Sequence, residues 1–216
     1  MGKYLKGILG SFSGLVGSVV GATWNGIDVM RSRPKKSSKP PTLAQLKQRD
    51  TFALMRGFSR EVSDIIRIGF QAYRVGQTPD SAAFGLNIAN AVTGVYPSIS
   101  IDYPEFVLSR GNLLDAPEIV VATTVDAQLD FSWLNNADVA DLLNTNSTDK
   151  VAFVVYNPAK QSFAKKVGAA LRSAQSYDMV VPATWSGDNV HIWAFFVSAS
   201  GKVVSDSVYV DATVVQ

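Results

Sequence analysis

The chain has 216 residues, 47% of them apolar, enough for one large domain or for a small head followed by a sandwich of about 100 residues. It has no cysteine and one histidine, His191. This excludes disulfide staples, thiolate nucleophiles, Cys-ligated zinc and multi-histidine metal sites, along with nearly all Ser-His-Asp chemistry. The net charge of +2 conceals an asymmetry: residues 1–60 carry eleven Lys/Arg against Asp28 and Asp50, a balance of +9, and the remainder carries nine basic and sixteen acidic residues, a balance of −7. Such a split points to a head that meets something anionic: nucleic acid, a membrane surface, or the acidic part of a neighbouring copy.

Residues 7–27 are uncharged and follow Lys3 and Lys6, as in a signal peptide. Gly7, Gly10, Gly14, Gly17 and Gly21 break the apolar run repeatedly, however, so the stretch is expected to belong to the fold and not to a leader or a spanning helix. Val16 to Trp24, Asn25-Gly26 and Ile27 to Arg33 predict a β-hairpin, because Asn-Gly supplies the two positive-φ positions of a type I′ turn. Arg33 to Pro41 reads as a basic linker, with Pro34, Pro40 and Pro41 opposing both helix and sheet.

Thr42 is the expected N-cap of a helix, with Gln45 completing a capping box. Leu43, Leu46, Met55, Phe58, Val62, Ile65 and Ile66 recur at helical spacing; Gly57 is expected to kink or break the helix, and Gly69 or Gly76 to end it. Ser81 is expected to cap a second, shorter helix ending at Gly94. From Tyr96 the period becomes two: Ile99, Ile101 and Tyr103 alternate with polar residues, and Pro104 interrupts before Phe106 to Ser109. Further strands are expected at Glu118–Ala122, Leu129–Trp133, Val151–Asn157, Met179–Val181, Val190–Ser198 and Val203–Val210, most of them separated by turn signals. About seven short alternating strands predict an immunoglobulin- or fibronectin-like antiparallel β-sandwich with Trp133 in its core. The expected class is therefore α+β: an N-terminal head of hairpin, basic linker and helices over residues 1–95, then a sandwich over 96–216.

Three phrases carry a resemblance: GILGSFSGLVGSVVGATWNGIDVMRSRPKKSSKPPTLAQLKQRDTF at the start, TGVYPSISIDYPEFVLSRGNL in the middle, and VYNPAKQSF with VPATWSGDNVHIWAFFVSASGKVVSDSVYV towards the end. Together they resemble a family of uncharacterised proteins common in Bacteroidota and catalogued as a domain of unknown function. The opening segment also resembles the start of some small phage and prophage proteins. The resemblance implies a shared architecture and a virion or prophage origin; it brings no catalytic residues.

No arrangement of residues forms a catalytic site, and no cofactor or metal is expected. His191 stands alone on a strand with no G-x-S-x-G elbow to serve. Asp126 and Asp130 could share a strand face, as a glycosidase pair would need, but solvated strand ends explain them more simply. Asp138, Asp141, Asn144, Asn146 and Asp149 crowd one loop without the D-x-D-x-D-G spacing of a calcium site.

The remaining signals are structural. Val19, Trp24, Ile27 and Val29 are expected to be buried at an interface, and Arg31, Arg33, Lys35, Lys36 and Lys39 to contact an anion or a neighbouring subunit. The expected function is a non-enzymatic assembly protein that self-associates or docks on a larger structure, foremost a phage or prophage virion component. A bacterial surface or filament subunit comes next, then an immunoglobulin-like module binding carbohydrate or protein, and then a nucleic-acid-binding protein using the basic linker. The expected partners are further copies of the chain or other virion proteins, with no membrane span.

Overall fold

The computed structural model describes residues 3–4, 10–24, 26–35, 38–71, 77–137 and 145–216. At the N-terminus, β1 (Lys3–Tyr4), β2 (Phe12–Val16), β3 (Val19–Trp24) and β4 (Ile27–Ser32) form an antiparallel meander in that order. The expected hairpin is its last turn. Trp24 pairs with Ile27, and Gly26 has φ +80°, as the turn requires. Asn25 lies outside the described residues. Val16 belongs to β2, because Gly17, at φ +58°, and Ser18 turn the chain once more before β3. The meander is tightly coiled. A side chain at Gly21 would collide with the backbone carbonyl and ring of Phe12, so this position admits only glycine.

Helix α1 (Leu43–Glu61) opens on the expected capping box: the Gln45 N–H donates to Thr42 Oγ1 (3.3 Å) and the Thr42 N–H to Gln45 Oε1 (3.0 Å). It runs unbroken through Gly57. The break falls at Val62 (φ −114°, ψ 17°), where α2 (Ser63–Gly69) begins. Helix α3 (Pro79–Asn90) is capped by Thr78, whose Oγ1 accepts from the Ser81 N–H at 3.2 Å, and not by Ser81. Pro79 explains the shift, since its fixed φ and missing N–H suit the first helical position.

Next, β5 (Val92–Val95) and β6 (Ser98–Ile101) form a hairpin through a cis Tyr96–Pro97 peptide. Phe106–Ser109 is not a strand, because side chains satisfy much of its backbone. Asn87, fully buried, exchanges two hydrogen bonds with Val107 (2.7 and 2.8 Å), and the Leu108 N–H donates to Ser207 Oγ (2.9 Å).

Seven further strands complete the chain: β7 (Val120–Ala122), β8 (Gln128–Ser132), β9 (Lys150–Asn157), β10 (Ser162–Leu171), β11 (Ser176–Val180), β12 (Asn189–Val197) and β13 (Val208–Val214). They form two antiparallel sheets, ordered β10-β9-β12-β13 and β11-β8-β7. Strands β9 and β12 are buried on both faces. Val151, Phe153, Val155, Ile192, Ala194 and Phe196 face a core shared with Leu129, Phe131 and Met179 of the smaller sheet. Ala152, Val154, Tyr156, Trp193, Phe195 and Val197 face a second core shared with Met55, Phe58, Val62, Ile65 and Ile66 of the helical layer. The result is a mixed α+β fold with a central sheet between helices and a second sheet. A two-layer immunoglobulin- or fibronectin-like sandwich does not describe the helical layer. Among the described residues, no helix is long and apolar enough to cross a membrane.

Candidate interaction surface

In an antiparallel pair, residues directly opposite one another share a face. Trp24 opposes Ile27, Ala22 opposes Val29, and Val20 opposes both Arg31 and, on β2, Leu15. One face of the meander is therefore an apolar strip of Leu15, Val20, Ala22, Trp24, Ile27 and Val29, with Arg31 at its end. Trp24 is 48% exposed, Ile27 44% and Val29 42%.

Among the described residues, neither core cluster contains a residue of β1–β4, and the strip stays exposed at Trp24, Ile27 and Val29. A small sheet with one apolar face in water is marginal alone. Strand β4 has no pairing partner on its outer edge among the described residues. Across the turn, Thr23 Oγ1 donates to Asp28 Oδ1 at 2.6 Å.

Three of the four residues expected at an interface thus come together: Trp24, Ile27 and Val29. Val19 does not join them. It opposes Ser32 and stands an odd number of residues from Trp24, so it lies on the other face. Of the basic cluster, Arg31 ends the apolar strip, and Arg33, Lys35 and Lys39 are exposed beyond it, with the Arg33 N–H held by the Ser18 carbonyl at 2.8 Å. Lys36 lies outside the described residues.

A second concave feature has no counterpart in the sequence reading. A cleft of about 570 Å³ lies between α1, β6 and the β9–β10 turn. Its floor is an aromatic cluster centred on Phe58, whose ring centroid lies 4.9 Å from Tyr156, 5.1 Å from Phe163 and 5.8 Å from Tyr103. Burial pushes the Tyr156 hydroxyl up to about 12, helped by Tyr103 beside it. Ring spacing was invisible to sequence because the four residues come from four separate segments.

The other expected chemistry dissolves into structure. Asp130 accepts from Thr124 Oγ1 and from Gln128 Nε2, bonds that hold its carboxyl below 3.8; Asp126 lies in the preceding turn and not on the strand. Asp149 is buried against Arg172, and its Oδ2 accepts from the Asn146 N–H at 2.9 Å. Asp138, Asp141 and Asn144 lie outside the described residues.

His191 Nδ1 sits 2.7 Å from the Tyr209 hydroxyl, and its ring lies 4.1 Å from that of Tyr103. Burial lowers His191 below 6.5. Burial, then Asp211 and Asp102, raise Tyr209 above 10, so a neutral imidazole and a protonated phenol share the hydrogen bond. A base whose folded pKa is depressed binds its proton more readily when unfolded. Folding stability should therefore fall as pH drops below about 6.5, by no more than about 1.4 kcal/mol per pH unit, the slope of one proton. As this is the only histidine, His191→Gln should flatten that limb in urea unfolding at pH 7.5 and 5.5. A wild-type chain equally stable at both values would contradict the assignment.

No protein of curated function matches the chain. The family model described as "Family of unknown function (DUF6266)" matches residues 11–211. The match runs from the N-terminal meander through the helical layer and both sheets to β13, and the chain belongs to that family.

Proposed function

We propose that the protein is a non-enzymatic structural subunit that self-associates through its N-terminal meander. The observation that carries this reading is the apolar strip of Trp24, Ile27 and Val29, exposed on a sheet that, among the described residues, contributes nothing to either core cluster. The open edge of β4 offers strand addition, and the basic residues behind the strip suit the acidic remainder of a neighbouring copy. The resemblance of the opening segment to small phage and prophage proteins favours a virion component. A bacterial surface or filament subunit is the next reading.

Deletion of residues 1–33 tests it. Light scattering on the full-length chain should show an assembly, and the truncated chain should be monomeric with an unchanged thermal transition. Particles of unchanged size after truncation would sink the reading. If the basic cluster makes subunit contacts, the assembly should also shrink as salt rises, because Debye screening shortens from about 10 Å at 0.1 M to about 3 Å at 1 M.

The aromatic cleft favours a second reading, a binding module, which a clean monomer at both low and high salt would support.

A further inference from the structure

We infer that the aromatic cleft beside α1 is the receptor for the β3–β4 tip of a second copy, with Trp24 as the inserted side chain. This inference rests on the self-association reading and names the surface that the meander meets.

The first argument is Gly57. It lines the cleft in the middle of α1, where glycine weakens a helix relative to alanine. Glycine inside an element usually answers to a close approach, yet a Cβ built at Gly57 meets nothing within 4 Å. Nothing within the fold requires glycine there. Its effect is to leave the cleft open, and any larger side chain would project into it.

The second argument is complementarity. The floor, Phe58 with Tyr103, Tyr156 and Phe163, offers ring edges and faces to an incoming indole. Trp24 is exposed where β3 turns into β4, with Ile27 opposite it across the turn. Burying an aromatic anchor in a preformed pocket is how interface energy is commonly concentrated.

The third argument is charge. Glu61 stands exposed at the cleft, and Asp64 one turn beyond it is already paired with Lys165 at 2.9 Å, while Arg31 and Arg33 follow the tip on the incoming arm. Among the described residues, none of β1–β4 lines the cleft. Because tip and cleft are different surfaces, such a contact is heterologous and propagates into a ring or a filament.

The absence of native cysteine makes the contact testable by disulfide trapping in the full chain. Two chains of different tagged mass are prepared, one carrying Ile27→Cys at the tip and one carrying Ser100→Cys in the cleft. Both leave Trp24 and Gly57 intact. After mixing and oxidation, the disulfide joining the two different chains should exceed either like-with-like dimer.

Predominance of the Ile27→Cys pair would mean that tips join tips, overturning the cleft while sparing meander-driven assembly. A doubly substituted chain that closes on itself as a monomer would mean that each arm fills its own cleft, which also overturns the proposal. A wild-type monomer by light scattering, with no trapped dimer, would remove the self-association reading and the receptor together.

Gly57→Met supplies an independent check. It should leave the melting temperature unchanged or higher and lower the association constant at least tenfold. Undiminished assembly by Gly57→Met would overturn the inference.

Discussion

Replacing Arg172 by alanine should cost about 3–5 kcal/mol of folding stability, the range for removing one partner of a buried ion pair. The guanidinium is fully buried just past the end of β10, where three other segments of the chain converge on it. Its two terminal nitrogens donate to Asn136 Oδ1 at 2.6 Å and to the Leu114 carbonyl at 2.7 Å. Its Nε lies 3.7 Å from Asp149 Oδ2, and its central carbon sits 3.8 Å above the Phe196 ring. The Arg172 carbonyl accepts from Trp133 Nε1 at 2.9 Å.

Burial pulls the Arg172 pKa below that of a free arginine, while Asp149 and Asp115 oppose the change; an arginine remains protonated throughout. Alanine would strand the Asp149 carboxylate in the interior, and that uncompensated charge dominates the expected loss. Arg172→Met combined with Asp149→Asn should therefore be less destabilising than Arg172→Met alone. Arg172→Lys should not rescue the wild type, since an ammonium cannot span Asn136 and Leu114 as a planar fork does. Urea unfolding at neutral pH measures all four variants, and a loss below about 1 kcal/mol for Arg172→Ala would refute the role given to the pair.

None of this network is local in sequence. Arg172 finds its partners 58, 36, 23 and 24 positions away, at Leu114, Asn136, Asp149 and Phe196, and no periodicity announces it. The features that were legible are those whose cause is local. Thr42 and Gln45 form their box because both bonds close within one turn. The β3–β4 register follows from the two-residue turn ending at Gly26, and it places Trp24, Ile27 and Val29 together. The same alternation puts Val19 on the far side, so that misplacement was avoidable.

Strand β10 escaped notice because Lys165, Lys166 and Gly168 dilute its pattern, markings suited to an edge strand. Gly57 was read by its propensity, whereas the helix runs through it and the open cleft accounts for its place. The unbroken apolar runs Val151–Tyr156 and Ile192–Val197 carried more than was drawn from them. A strand with no polar face is covered on both sides, and that alone calls for a third layer.

That third layer leads to the second large effect, Phe58→Ala, expected to cost about 3–5 kcal/mol as a buried aromatic truncation. Phe58 projects from α1 into the central sheet. Its ring meets Phe106 edge-on at 4.8 Å and Tyr156 of β9 edge-on at 4.9 Å, and packs at 5.1 Å from Phe163 of β10. Because Tyr156 and Phe163 belong to the sheet, the loss should fall on helices and strands alike. Far-UV circular dichroism follows the helices, and tryptophan fluorescence, to which the buried Trp133, Trp185 and Trp193 contribute, reports on the sheets. Both should move to a lower midpoint together, as one cooperative transition. Phe58→Leu, which keeps most of the volume, should cost under about 1.5 kcal/mol. If the helical signal melts first and the tryptophan fluorescence is unshifted, helices and sheets are separate folding units and a boundary near residues 95–96 is real. Coincident melting would instead mean that the helices are the sheet's missing cover, and that the cleft between them is as rigid as the core beneath it.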